Sequence, residues 1–485
     1  MRRSAVSGVL ALLLLTTLLG GPIASAAAPV DSAALRKAVT VDGIREHLTA
    51  LQKIADANGG SRASGFPGYD KSADYVRSRL KAAGYRVKLQ PFSFSSFTEL
   101  APAQLRRVSP SAKTFAGGTD LTTMQYSGSG DVTKPIQAVD LVLPPTAQPS
   151  STSGCEASDF SGFTKGNVAL IQRGTCTFAQ KAANAQKAGA AAALIFNEGQ
   201  PDRQDAVGGS LDEREVNIPV LSVSFAAGQE LASTSGATVH VVTSTKTDKR
   251  KTVNVLAETR AGRADRTVVV GAHLDSAPAG PGINDNGSGT AVVLEIAEQI
   301  ARRRIKPANR IRFAFWGAEE SGLLGSKHYV SKLSKRDVKR IAVNLNFDML
   351  GSPNFVRFVY DGDGSTTPPA GPNGSGQVEQ VFLDYFAQQG LAIEPTGFSG
   401  RSDYRPFIEA GIPAGGLFSG GEGIKTEAQA AVYGGRAGVA YDACYHQACD
   451  TSDNISETAL DQLGDAAAHA VLTFAKTKLA KDGAG

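Results

Sequence analysis

The sequence predicts an α/β protein: a mixed, largely parallel central sheet flanked by helices, with a β-rich domain inserted into it. Three observations lead there. From residue 251 onward, apolar strand-like runs alternate with helical ones, the pattern of a parallel sheet covered on both faces. Residues 131–245 have a different texture, of short apolar strands around an Ala-rich helix. Residues 29–100 show the helix-and-strand style before that stretch, so the second unit interrupts the first. The expected division is a leader over 1–28, a first part of the main domain over 29–130, the insert over 131–245 and the rest over 246–485.

The elements follow in order. Val39, Ile44, Leu48, Leu51 and Ile54 form an apolar stripe over 29–60. A second helix is expected from Tyr69 to Ala83, stopped by Gly84, and Tyr85–Phe92 alternates as a strand. Residues 100–150 carry turns and short apolar patches without a clear period. Within the insert, Asn167–Gly174, Ala192–Asn197 and Ile218–Val223 read as strands, with a helix over Phe178–Ala188. Beyond it, strands are expected at Thr252–Ala257, Thr267–Ala272, Arg310–Trp316, Ile341–Phe347, Phe355–Tyr360 and Pro413–Phe418. Val293, Ile296, Ala297 and Ile300 share one face of a helix starting near Ser288, and a closing helix covers about 457–479.

Length and composition bound the function. The 485 residues suggest about two or three units. Apolar (42%) and charged (20%) fractions are those of a globular protein. The formal charge is +4, and removing Arg2 and Arg3 leaves roughly +2, too little to suggest nucleic acid. Arg2, Arg3, the apolar run Val9–Leu19 and Ala24-Ser25-Ala26 have the layout of a cleavable export signal. That run is too short to span a bilayer. A secreted, extracellular protein with no membrane contact after cleavage is expected, and a monomer. Cys155, Cys176, Cys444 and Cys449 are the only cysteines. An even count in an oxidising compartment favours two disulfides, with Cys155–Cys176 and Cys444–Cys449 the simplest of three pairings. A four-thiolate zinc site is the rival, but the pairs lie far apart and lack C-x2-C spacing.

Chemistry gathers where apolar strands end, the usual position of sites in open α/β sheets. Val268–Ala272 runs into His273-Leu-Asp275; Asp285 stands in Gly282-Ile-Asn-Asp-Asn-Gly-Ser-Gly just before a helix. Arg310–Trp316 ends in Gly317-Ala-Glu319-Glu320-Ser-Gly, Ile341–Phe347 ends in Asp348, and Tyr445-His446 sits between Cys444 and Cys449. A lone histidine or a Glu-Glu pair means little. Several carboxylates gathered together repel one another unless cations neutralise them, so the joint pattern points to metal.

These motifs (His-x-Asp, Asn-Asp-Asn-Gly-x-Gly, Gly-Ala-Glu-Glu-x-Gly-Leu-x-Gly-Ser and Asn-x-Asp-Met) resemble the M28 family of zinc aminopeptidases, in particular its secreted bacterial members. The likeness is strong over about 251–460 and weak over 30–100. Gly-Thr-Cys-Thr-Phe, Lys-Ala-Gly-Ala and Ile-Pro-Val in the insert resemble a protease-associated (PA) domain, read as a lid or docking module. The resemblance implies a zinc exopeptidase fold and two Zn2+ ions. His273 and Asp348 would hold one ion, Glu320 and His446 the other, with Asp285 bridging. Glu319 would be the general base and Asp275 would orient His273. Tyr445 would donate to the oxyanion. Arg401 would bind the substrate, and Glu319 and Asp348 its free amine. Ca2+ is a possible further ion that the sequence does not allow one to derive. Substrates would be peptides or proteins with a free amino terminus, preferably with a large apolar first residue.

Three alternatives share the fold. A carboxypeptidase needs a basic pocket, for which Arg401 alone is thin. Glutaminyl cyclases resemble one-zinc enzymes without the insert. A non-catalytic binding protein would be expected to have lost ligands or the base, and none is lost here. No G-x-S-x-G elbow or H-E-x-x-H helix occurs. His47, His240, His328 and His469 lie outside these motifs and are read as structural or exposed.

Overall fold

A computed structural model describes residues 30–201, 203–211 and 216–479; the leader lies outside them. The centre is a twisted sheet ordered Glu394–Thr396, Phe358–Tyr360, Ala414–Phe418, Ile341–Asp348, Arg263–His273, Asn309–Trp316, Thr238–Glu258. Its four middle strands, 414–418, 341–348, 263–273 and 309–316, run parallel, with Val270 aligned to both Phe313 and Leu345. Thr238–Glu258 is antiparallel to Asn309–Trp316 and Phe358–Tyr360 to Ala414–Phe418, while Glu394–Thr396 at the edge is parallel to Phe358–Tyr360. The largely parallel sheet follows from sequence: helices cover both faces, so strands such as Val268–Ala272 are apolar without alternation.

One face is covered by the helices Val41–Asp56, Pro67–Ala82, Gly289–Arg302 and Glu457–Lys476, which bury Leu48, Val76, Ile296, Leu463 and Val471 in a single core. The stripe over 29–60 is not one continuous helix. Ala33–Arg36 forms a single turn, and the helix Val41–Asp56 starts at Thr40, whose side chain accepts from the Gly43 amide. An N-cap of this kind satisfies an otherwise orphaned donor, and it sets the break there. The other face carries Leu324–Ser331 and Arg405–Glu409, with Trp316, Tyr329 and Phe407 between them and the sheet.

Within 100–150, which has no clear period in the sequence, residues 100–109 complete a long ribbon and Gly130–Val139 forms a strand, antiparallel to Thr238–Glu258 and parallel to Val168–Gln172. Arg86–Ser109 pairs antiparallel with Thr238–Glu258 from Arg86↔Glu258 to Ser109↔Thr238, through three register shifts. The insert sits at its far end. There Val168–Gln172, Ala192–Phe196 and Val220–Val223 form a small parallel sheet, flanked by the helices Phe178–Lys187 and Phe225–Ser233. Its cores are separate from that of the main domain. Both disulfides are present, Cys155–Cys176 within the insert and Cys444–Cys449 at the rim of the sheet. Among the described residues, no helix is long and apolar enough to cross a membrane.

Phe313 is fully buried on a middle strand, with its ring edge-on to Tyr85 at 5.5 Å. Phe313→Ala should cost about 3–5 kcal/mol of stability, read as a lower denaturation midpoint at unchanged slope in urea.

Candidate metal centre

Four of the five residues expected to ligate metal follow directly from this sheet. His273 and Asp348 are the last residues of adjacent parallel strands. Glu319 and Glu320 follow Trp316 by a short turn, and Asp285 lies in the irregular turn Ile283–Ser288 that leads into the helix Gly289–Arg302. Gly282 opens that turn at φ 59°, where a Cβ would lie 2.3 Å from the Asp285 carbonyl oxygen, so only glycine fits. His446 arrives from the disulfide-closed loop.

The side chains converge. His273 Nε2 is 3.3 Å from Asp285 Oδ1 and 3.3 Å from Asp348 Oδ1. His446 Nε2 is 3.1 Å from Asp285 Oδ2 and 3.0 Å from Glu320 Oε2. Asp285 therefore turns one oxygen to each imidazole. Glu319 approaches from the His273 side, with Oε2 4.0 Å from Nε2. Ala318, Leu323, Met349 and His446 all have positive φ without being glycine. Such backbone is costly and is held only where surrounding structure enforces it, often at functional sites. For Asp275, the main-chain carbonyl is closest to His273 Nδ1, at 3.2 Å. Its carboxylate accepts from the Glu319 amide at 3.2 Å. Tyr445 stacks on His446 with centroids 3.8 Å apart, and Arg401 reaches its hydroxyl at 3.4 Å while pairing with Glu422 at 2.5 Å.

Several supporting residues carry no mark in the sequence. Arg62 is fully buried behind the site. Its guanidinium donates to the carbonyls of Leu274, Pro281 (2.8 Å) and Gly282 (2.5 Å). Burial lowers its pKa to about 10, while Asp275, Asp450, Asp285 and Glu320 favour its charge. Asp450 accepts from the amides of Asn284 (2.8 Å) and Asp285 (3.0 Å), tying the His446 loop to the Asp285 turn. Ser402 donates to Asp348 Oδ2 at 2.5 Å and accepts from Asn346 at 2.8 Å. Adjacency of Asp450 to Cys449 was the one available hint.

The other histidines differ from one another. His47 does have acidic neighbours: its Nε2 is 3.5 Å from Glu295, with Glu298 nearby. The sequence conceals this because the acids come from a helix some 250 residues later. Arg79 and Arg302 already neutralise Glu298, at 2.6 and 2.5 Å, so the group is a charge network joining helices. His240 pairs with Asp131 at 2.7 Å, His328 stacks on Phe92 and His469 on Tyr385.

The donor set fits zinc. Imidazole nitrogens and carboxylate oxygens are its ordinary ligands, and buried Glu320 Oε1 has no hydrogen-bond partner among the described residues. Electrostatics agree. Burial raises Glu319 well above the usual carboxylate range, helped by Asp403, Glu320 and Asp348; burial and Asp285 raise Glu320. Burial opposes charge on His446, but its bonds to Asp285 and Glu320 raise it to about 11. Burial likewise opposes charge on His273, which Asp348 and Glu319 nevertheless raise strongly. Protons thus stand where cations would.

Binding zinc at neutral pH should therefore release protons. Titration calorimetry in buffers of different ionisation enthalpy should show this, and apparent affinity should fall about tenfold per pH unit lowered for each proton displaced. Asp450→Ala should weaken zinc binding by about 10- to 100-fold, measured by competition with a chromophoric chelator.

The centre opens into a cleft of about 1180 Å³. Phe358 stacks on Phe418 at 5.9 Å and Tyr360 on Phe398 at 5.4 Å, giving it an aromatic wall.

Comparison with known proteins agrees with this layout. The sequence profile "Peptidase family M28" matches residues 254–471 and "PA domain" matches 137–231. An aminopeptidase of Pseudomonas aeruginosa is 46% identical over 436 residues, 90% of this chain and 81% of its own. Leucine aminopeptidase 2 of Arthroderma otae is 40% identical over 428 residues, 86% of this chain and 81% of its own. The solved aminopeptidase of Aneurinibacillus sp. strain AM-1 superposes with a TM-score of 0.72 at 26% identity, covering 93% of this chain and 98% of that one. The zinc aminopeptidase of Bacillus subtilis gives 0.59 at 26% identity, covering 89% and 95%. By its motifs, its fold and these relatives, the chain belongs to peptidase family M28 and carries a PA domain within it.

Proposed function

We propose that this M28 zinc aminopeptidase removes the amino-terminal residue of peptides and proteins with two zinc ions, prefers large apolar residues, and acts outside the cell. The observation that carries the reading is Asp285, whose two oxygens face two different imidazoles, each with a further carboxylate beside it. His273 and Asp348 would hold one ion, Glu320 and His446 the other, and Asp285 both. Zinc held there would polarise the scissile carbonyl and lower the pKa of a water molecule toward neutrality.

The chain's own residues supply the rest. Glu319 is buried beside the ligands without belonging to the expected ligand set, its Oε2 4.0 Å from His273 Nε2, where it can accept a proton from the attacking water and pass it to the leaving amine. Asp275 fixes the main chain of Glu319 through its amide. Glu319 and Asp348 are the acids available to the substrate's ammonium. The Tyr445 hydroxyl, kept protonated by burial beside Asp285 and Glu320, donates to the developing oxyanion, with Arg401 holding it. The aromatic wall and Met349 favour a large apolar side chain, in keeping with relatives named for leucine. Two disulfides and the leader's composition support export.

Leu-p-nitroanilide should be hydrolysed and its N-acetylated form should not; cleavage of both, or of neither by zinc-loaded protein, would refute the aminopeptidase. Phenanthroline should abolish turnover and zinc should restore it. Glu319→Gln should retain both metals while kcat drops by about 10²- to 10⁴-fold.

A further inference from the structure

The aromatic wall accounts for only part of the cleft. The rest of the lining passes from Leu323, Leu324 and Lys327 of the main domain to Ser210 of the insert and to Gln125 and Tyr126. The last two precede residue 131 but belong structurally with the insert: the adjoining strand Leu121–Thr123 pairs with Val220–Val223, and Tyr126 packs in the insert's core. That junction is built, not a chance approach. Tyr126 is 5% exposed; its hydroxyl donates to the Ser95 carbonyl at 2.9 Å and reaches that of Ser321, next to Glu320, at 3.4 Å. Its ring lies 5.8 Å from that of Phe97. The Gln125 amide donates to the Gly209 carbonyl at 2.8 Å, and the Gln125 carbonyl accepts from Leu211 at 3.0 Å, holding Gln125 beside Ser210.

Charge distinguishes this half. Three Lys or Arg side chains line the cleft. Arg401 is paired with Glu422, and Arg405 with Glu409 at 2.8 Å. Lys327 is exposed, and among the described residues no ion pair occupies it. A peptide whose amine is held by Glu319 and Asp348, and whose first side chain lies on the aromatic wall, has this half left for the remainder of its chain. That assignment rests on the aminopeptidase reading above. We propose that the surface shared by the insert and the Leu323–Lys327 segment binds the peptide beyond the scissile bond, and that Lys327 there recognises a carboxylate. The carboxylate would be the terminus of a short peptide or an acidic side chain.

Leu-Gly-Gly, Leu-Gly-Gly carboxamide and Leu-Gly-Asp carboxamide, compared by kcat/KM at low salt in zinc-loaded protein, separate these sources. At least one acid should exceed the neutral amide by about 1.5- to fivefold, the range of an exposed ion pair, and the one that gains identifies the source. Lys327→Gln should bring the ratio to unity. Gln125→Glu, which adds an anion from the insert, should lower it. Equal rates on all three substrates, or an advantage that survives Lys327→Gln, would overturn the proposal; a ratio untouched by Gln125→Glu would remove the insert from the site. Hydrolysis of the neutral amide reports separately on the aminopeptidase reading, since it carries no carboxylate.

Discussion

Asp285, Glu319, Glu320 and Asp348 crowd around two imidazoles at the floor of an open cleft, and the mutual repulsion of those carboxylates shapes everything around them. Without cations, protons take their place: Glu319 and Glu320 are pushed up, and both imidazoles are driven strongly toward the charged form. Divalent ions resolve the same conflict with more charge. The surrounding structure serves to keep the acids from relaxing apart. Three sit at or just beyond the ends of parallel strands, one precedes a helix, and Arg62 binds three carbonyls of the connecting loops from behind.

The parallel sheet makes this possible. Each middle strand delivers its last residue to the same edge, so separate stretches of sequence contribute to one point in space. Their loops are then locked crosswise. Asp450 receives two amides from the Asp285 turn, Ser402 bonds to Asp348, and the Asp275 carboxylate holds the Glu319 amide. The residue types are modest, but each fixes a group that the chemistry requires in one orientation. The positive φ angles at Ala318, Met349 and His446 place backbone strain in the same loops.

The insert changes the character of the cleft rather than of the centre. It is carried on a long two-stranded ribbon continuous with the main sheet, and Tyr126 reaches across to the main-chain carbonyl that follows Glu320. A domain with its own core thereby becomes one wall of the site.

Much was legible in the residues alone. Apolar runs ending in His273, Glu319 and Asp348 announced a parallel sheet with chemistry at its edge, because a strand buried on both faces needs a continuous apolar run and its polar end has nowhere else to lie. The texture shift announced the insert, and the cysteine count announced two disulfides. Tertiary structure alone decided what depends on distance. That Arg62 sits behind the centre, that Asp450 ties two loops, and that Gln125 and Lys327 share a cleft are juxtapositions of residues far apart in the chain. No local period encodes such meetings. His47 shows the same limit: it looked solitary until a helix from residue 289 onward brought Glu295 against it. Asp275 shows a subtler one, since spacing placed it near His273 but only folding decided that its carbonyl, and not its carboxylate, lies closest to the ring.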